Sequence, residues 1–113
     1  MDFVSTGAVE TAEPIYGVEL ALLAAGERMN VQHFRIEPGA TVPEHSHPHE
    51  QVGYVVTGNL TFLIEGEEIV VERGGSYSLA SEEPHAIENR GDAVVEGIDV
   101  FSPPRTNPDW AED

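Results

Sequence analysis

Four side chains of this protein have the types and spacing of a metal site. His45 and His47 stand two residues apart, Gln51 follows four residues later, and His85 lies far along the chain. Three imidazole nitrogens and an amide oxygen suit one divalent ion (Ni, Fe, Mn or Zn), with positions left open for water or substrate. In an extended strand, side chains alternate between faces, so His45, His47 and Gln51 are expected on one face and Glu50 on the other. His49 continues the same period and offers a fourth imidazole, but Pro48 is expected to turn it aside to the rim. A second group sits near the end: Asp99 and Phe101 share one face of the last strand, and the Pro103-Pro104 bend brings Arg105 back towards them. His33, beside Arg35 in an alternating strand, reads as a surface residue.

The elements that must position these groups read as β-strands throughout. Residues 28–36 alternate polar and apolar, residues 52–57 run to a Gly58-Asn59 turn, and residues 60–64 are expected to return as the partner strand. Glu65-Gly66-Glu67 turns again before a strand over 68–72. Residues 73–76 form a loop, and short strands follow over 77–80, 86–88 and 93–101. Val18–Ala25 carries both high helix propensity and the alternation Val18, Leu20, Leu22, and its pattern leaves helix and strand open. Tyr77 could offer its hydroxyl to a cavity or pack in the core, whereas Tyr54 faces away from Gln51 on period-two counting. Many short strands punctuated by Gly predict an all-β sandwich or barrel.

Composition narrows the function classes. The 113 residues are expected to form one domain, 1–113, ending in a Pro- and acid-containing tail over 102–113. Cysteine is absent, so no disulfide, thiolate metal site or thiol nucleophile exists here. No apolar run is long enough to span a bilayer and the N-terminus lacks a signal-peptide pattern, so a cytoplasmic protein without membrane contact is expected. The 21 acidic residues face five Arg and no Lys, a formal net charge of −16. Five cations cannot build a groove that tracks phosphates, which excludes nucleic acid as a partner. The acids are spread along the chain rather than gathered in a tail, which favours a protein of a high-salt organism, where short-range screening offsets self-repulsion.

The chain resembles the cupins, small jelly-roll barrels. The first motif of that family is matched over residues 39–58 by Gly39, His45, His47, Gln51 and Gly58, with Gln standing where the family carries Glu. The second is matched over residues 74–89 by Gly74, His85 and Asn89, with Ala80 and Glu82 at its internal Pro and Gly positions. The resemblance implies an all-β cupin jelly-roll barrel, a strand over residues 17–25, and a metal held by His45, His47, Gln51 and His85. The neutral amide leaves the metal one more positive charge than a carboxylate would, strengthening its pull on an anionic substrate.

The run Asp99-x-Phe101-x-x-x-Arg105, with the His, His, Gln, His ligand set, is similar to the KdgF-type cupins that linearise 4,5-unsaturated uronates from pectin and alginate. That resemblance implies a small anionic sugar-acid substrate, with Arg105 holding its carboxylate, Asp99 moving the proton and Phe101 packing on the ring. It also implies a homodimer, since cupins of this size commonly pair. Two other activities remain open on the same barrel: a metal-dependent dioxygenase acting on a small organic acid, and a non-catalytic sugar-acid binder.

Overall fold

Among the described residues, ten antiparallel strands divide into two sheets whose inner faces share one apolar core. The computed structural model describes residues 1–106 and residue 108; the remainder of the expected tail lies outside the described residues. The strands are β1 (Ala12–Ile15), β2 (Val18–Ala25), β3 (Asn30–Ile36), β4 (Thr41–His45), β5 (Glu50–Thr57), β6 (Asn59–Ile64), β7 (Glu67–Glu72), β8 (Ser76–Leu79), β9 (His85–Glu88) and β10 (Val95–Ser102). A single 3-10 turn, Thr6–Ala8, precedes them. The larger sheet runs β1-β2-β3-β10-β5-β8 and the smaller runs β4-β9-β6-β7. This is a jelly-roll sandwich, and Val18–Ala25 is a strand within it. Among the described residues no helix is long and apolar enough to cross a membrane.

The inner faces follow from parity. On β3, Asn30, Gln32, Phe34 and Ile36 are buried, and on β10 Val95, Gly97, Asp99 and Phe101 are buried. Val18, Phe34, Ile36, Val55, Leu79 and Val95 from the larger sheet meet Leu60 and Phe62 from the smaller. Removing this much apolar surface from water is the main stabilising term for a domain of this size. The apolar packing lies towards one end of the sandwich. Polar side chains gather on the same inner faces towards the other end.

Two local expectations are corrected. Residues 60–64 do not return beside 52–57: β5 pairs with β10 and β8, whereas β6 pairs with β7 and β9. Gly58, at φ +80°, therefore carries the chain from one sheet to the other rather than closing a hairpin. The hairpin that β6 does form is with β7, where Ile64 pairs with Glu67 around Glu65-Gly66. Both loop residues have positive φ, 52° and 79°, the geometry that matches strand twist in a two-residue turn and that Gly supplies without strain. Secondly, residues 45–51 are not one extended strand. β4 ends at His45, residues 46–49 cross between the sheets, and β5 begins at Glu50.

Candidate metal centre and substrate cavity

The crossing of residues 46–49 is what makes the histidines converge. His45 ends β4 in the smaller sheet, His85 opens β9 directly opposite it, and Gln51 lies on the inner face of β5 in the larger sheet. His47 sits in the connection between them. The ring centroids of His45 and His85 are 4.3 Å apart, and those of His47 and His85 are 5.3 Å apart. One nitrogen from each of His45, His47 and His85 lies within 4.8 Å of the others, so these three could hold a metal ion. His49 falls outside this cluster: its ring faces Phe101 at 6.2 Å and its carbonyl serves His47. Glu50 is exposed, as alternation requires.

Hydrogen bonding fixes which nitrogen each ring presents. His45 Nδ1 donates to the Pro43 carbonyl at 3.0 Å, His47 Nδ1 to the His49 carbonyl at 3.1 Å, and His85 Nδ1 to the Glu83 carbonyl at 2.8 Å. A carbonyl can only accept, so each Nδ1 carries a proton, and in a neutral ring Nε2 is then left with a bare lone pair. Such outer hydrogen bonds orient histidine ligands in metal sites. Burial lowers the pKa of His85, and burial followed by the Arg105 charge lowers that of His47. Both rings are thereby held neutral, the form that binds metal.

Gln51 supplies the sharpest test of fit. Its amide donates to the Asp99 carboxyl, which turns Oε1 towards the histidines. Gln51 Oε1 then lies 3.0 Å from His47 Nε2. With the His47 proton on Nδ1, these are two acceptors facing one another in a buried site, an arrangement that a cation between them relieves. The donor set therefore fits a divalent ion with nitrogen and oxygen ligands.

Beside this cluster a cavity of about 290 Å³ opens between the sheets. Its far walls are apolar, including Val18, Phe34, Ile36, Leu60 and Phe62, and its polar groups are Gln32, Glu44, His45, Gln51, Tyr77, His85, Asp99 and Arg105. Asp99 is 6% exposed, and burial raises its pKa to about 6, against the opposing pull of the Tyr77 and Gln51 hydrogen bonds and the Arg105 charge. A carboxyl held there is suited to taking and giving a proton near neutrality. Tyr77 donates to Asp99 across Gly53, its register partner on β5, which is also paired with Asp99. A Cβ at position 53 would stand 2.5 Å from the Asp99 oxygen and closer still to the Tyr77 hydroxyl, so only Gly leaves room for this bond. Burial raises the pKa of Tyr77, with further contributions from the Asp99 charge and the hydrogen bond, so the phenol remains the donor.

Arg105 is brought back by the turn after β10. Its backbone N–H donates to the buried Asn30 side chain, and Ser102 Oγ donates to the Arg28 carbonyl at 2.7 Å. Its guanidinium carbon then lies 5.3 Å from the centre of the Phe101 ring, within cation–π reach. Phe101 is itself 1% exposed and stands edge-on to His47 at 5.6 Å. The structure thus gathers His45, His47, Gln51, His85, Asp99, Phe101 and Arg105 about one end of the cavity. Tyr54 lies outside, on the solvent face of β5, and His33 lies 3.7 Å from Glu96 on an outer surface.

Sequence reasoning passed over Gln32 and the bracing role of Gly53. The signal for Gln32 was its parity with Phe34 and Ile36, a polar residue on the face that those two assign to the core.

A family model for the cupin domain matches residues 32–101. The chain is 32% identical over 78 residues to the tetracenomycin polyketide synthase protein TcmJ of Streptomyces glaucescens, and 32% identical over 69 residues to the H2HPP isomerase of Bacillus subtilis. These alignments cover 68% and 61% of this chain but 52% and 29% of those proteins, so the chain spans about half the length of the first and less of the second. Among solved structures, KdgF from Halomonas sp. superposes with a TM-score of 0.84 over 95% of this chain and 97% of that one, at 23% identity, a likeness of fold. With the matched model spanning both histidine motifs, the chain belongs to the cupin domain family.

Proposed function

We propose that this protein is a metal-dependent isomerase that opens the ring of 4,5-unsaturated uronate monosaccharides to the linear keto form. The observation that carries the reading is the placement of Asp99 beside the histidine cluster, buried, with a raised pKa, and sharing one cavity end with Arg105. The likeness to KdgF and the isomerase among the relatives support the same reaction class. His45, His47, Gln51 and His85 would hold the divalent ion, which when bound polarises substrate oxygens and stabilises developing negative charge.

The chain's own residues account for the remaining steps. Arg105 binds the substrate carboxylate through its planar fork. The Phe101 ring packs against the apolar edge of the sugar. Asp99, ionised, takes the proton of the hemiacetal hydroxyl, and the bond from that carbon to the ring oxygen breaks. An aldehyde forms at one end and an enolate at the other. Asp99 then returns the same proton to the alkene carbon as the enolate becomes a ketone, so atoms and charge balance and no co-reactant is consumed. Tyr77 and Gln51 hold the carboxyl in place throughout.

An anaerobic incubation of metal-loaded protein with freshly made unsaturated galacturonate, followed by proton NMR, tests the reading. The expected product is the linear keto acid, formed without oxygen. Turnover that requires oxygen would assign the site to dioxygenase chemistry instead. Binding without any product would assign it to a sugar-acid binder.

A further inference from the structure

Gln32 is a buried amide with no assigned task in the proton transfer. It is 4% exposed, on the inner face of β3, and it lines the cavity. Its register partner on β10 is Asp99, so it lies one strand beyond the carboxyl on the same row. Asp99 is followed by Gly53 and Tyr77 on the other side, which are fully engaged with it. The Oε1 atom of Gln32 is buried and has no hydrogen-bond partner among the described residues. A buried amide oxygen left unpaired is disfavoured, and natural interiors rarely leave one without a reason. Asn30, the next residue on the same inner face of β3, likewise leaves its Nδ2 without a partner among the described residues.

We infer that Gln32 reads a hydroxyl of the bound ligand. A hydroxyl is the group that suits an amide best, because it donates to the oxygen and can also accept from the nitrogen. Arg105, from the chain beyond β10, fixes a carboxylate at one end, and Gln32 from β3 takes a hydroxyl further into the cavity. Together they select a hydroxylated acid over an acid of similar size without hydroxyls. A site built to pair a ligand hydroxyl rejects the deoxy analogue, because its own polar group is then left unpaired. The choice of an unsaturated uronate as substrate rests on the ring-opening reading; the role of Gln32 requires only that the site binds a hydroxylated sugar acid such as galacturonate.

Calorimetric binding to the metal-loaded protein tests this without turnover, using saturated galacturonate and its single-deoxy analogues. Wild type is expected to lose about tenfold in affinity for one analogue, the size of one neutral hydrogen bond. Gln32→Met, which keeps the volume but not the acceptor, is expected to bind galacturonate about tenfold more weakly and to bind that analogue as wild type does. Gln32→Glu, which keeps an oxygen at the same place, is expected to retain the ratio between the two ligands. Equal ratios in wild type and Gln32→Met would overturn the inference, as would failure of wild type to bind any of these uronates. A hydroxyl preference that disappears in Gln32→Met, in a protein that does not turn over the unsaturated sugar, would sink the ring-opening reading and leave the role of Gln32 standing.

Discussion

The Tyr77 hydroxyl reaches Asp99 only across a position without a side chain, Gly53, and the bond restrains how far burial drives the carboxyl pKa upwards. Removing that donor is therefore expected to make Asp99 harder to ionise. Tyr77→Phe keeps the ring packed 4.6 Å from Phe62 while deleting the hydroxyl. On the proposed mechanism kcat falls about tenfold, since a hydrogen bond to a charged group is worth roughly 1.5–3 kcal/mol, and KM stays near its original value. Steady-state kinetics at neutral pH check the split; a change confined to KM would place Tyr77 in binding instead. Gln51 works in the same way at the atomic scale. One end of its amide restrains Asp99 and the other faces His47, so Asp99 and the histidine cluster are tied through a single side chain.

At the scale of elements, the histidines come from β4, the 46–49 connection and β9, while Gln51 comes from β5 in the opposite sheet. A bound ion would thus cross-link the two sheets. Divalent metal at about 100 times its dissociation constant is expected to add roughly 2.7 kcal/mol of stability, a rise in melting temperature of several degrees for a domain of this size. Differential scanning calorimetry with and without chelator measures it, and His85→Ala is expected to abolish the difference. An unchanged melting temperature in wild type would argue against a cross-link. Asn89 performs the matching task for the loops. Its Nδ2 donates to the Ile36 and Ala93 carbonyls at 2.9 Å each and its Oδ1 accepts from Gly91, so the end of the second motif is an architectural staple. Much of this was legible in the sequence. The alternation of β3 and β10, the Glu65-Gly66 turn and the spacing of the histidines each follow from one local rule. The edges were not. β1 and β4 carry Pro14 and Pro43, which break the strand pattern and are tolerated because both strands lie at the margin of their sheets, where one side needs no ladder partner. The sheet switches at Gly58 and at residues 46–49 were hidden for a different reason: which strands pair is decided by long-range packing, and a turn signal reports only that the chain turns.

For the whole molecule the governing quantity is charge. Arg35 gathers Glu37, Glu19 and Glu96, and Arg90 gathers Glu68 and Glu88, yet a formal charge of −16 remains to repel itself. Such exposed pairs add little stability singly, so screening by salt is the larger lever. The melting temperature is expected to rise steadily from dilute buffer to molar NaCl, measured on metal-loaded protein; a flat or falling curve would contradict adaptation to high salt. The same charge has a consequence for function. On the proposed mechanism an anionic substrate would have to enter a strongly acidic protein, and Arg105, stacked on Phe101 at the cavity, would receive it. On the proposed mechanism that cation and Asp99 act in one reaction, which the rate of alkene loss reads out. Metal-loaded protein in molar salt would be mixed with fresh unsaturated galacturonate and its conjugated absorbance followed beside the uncatalysed control. Accelerated loss is expected in wild type, with a fall to near the background rate in Asp99→Asn and a KM raised at least about tenfold in Arg105→Ala. Loss at the background rate in wild type with metal bound, or full activity in Asp99→Asn, would contradict it.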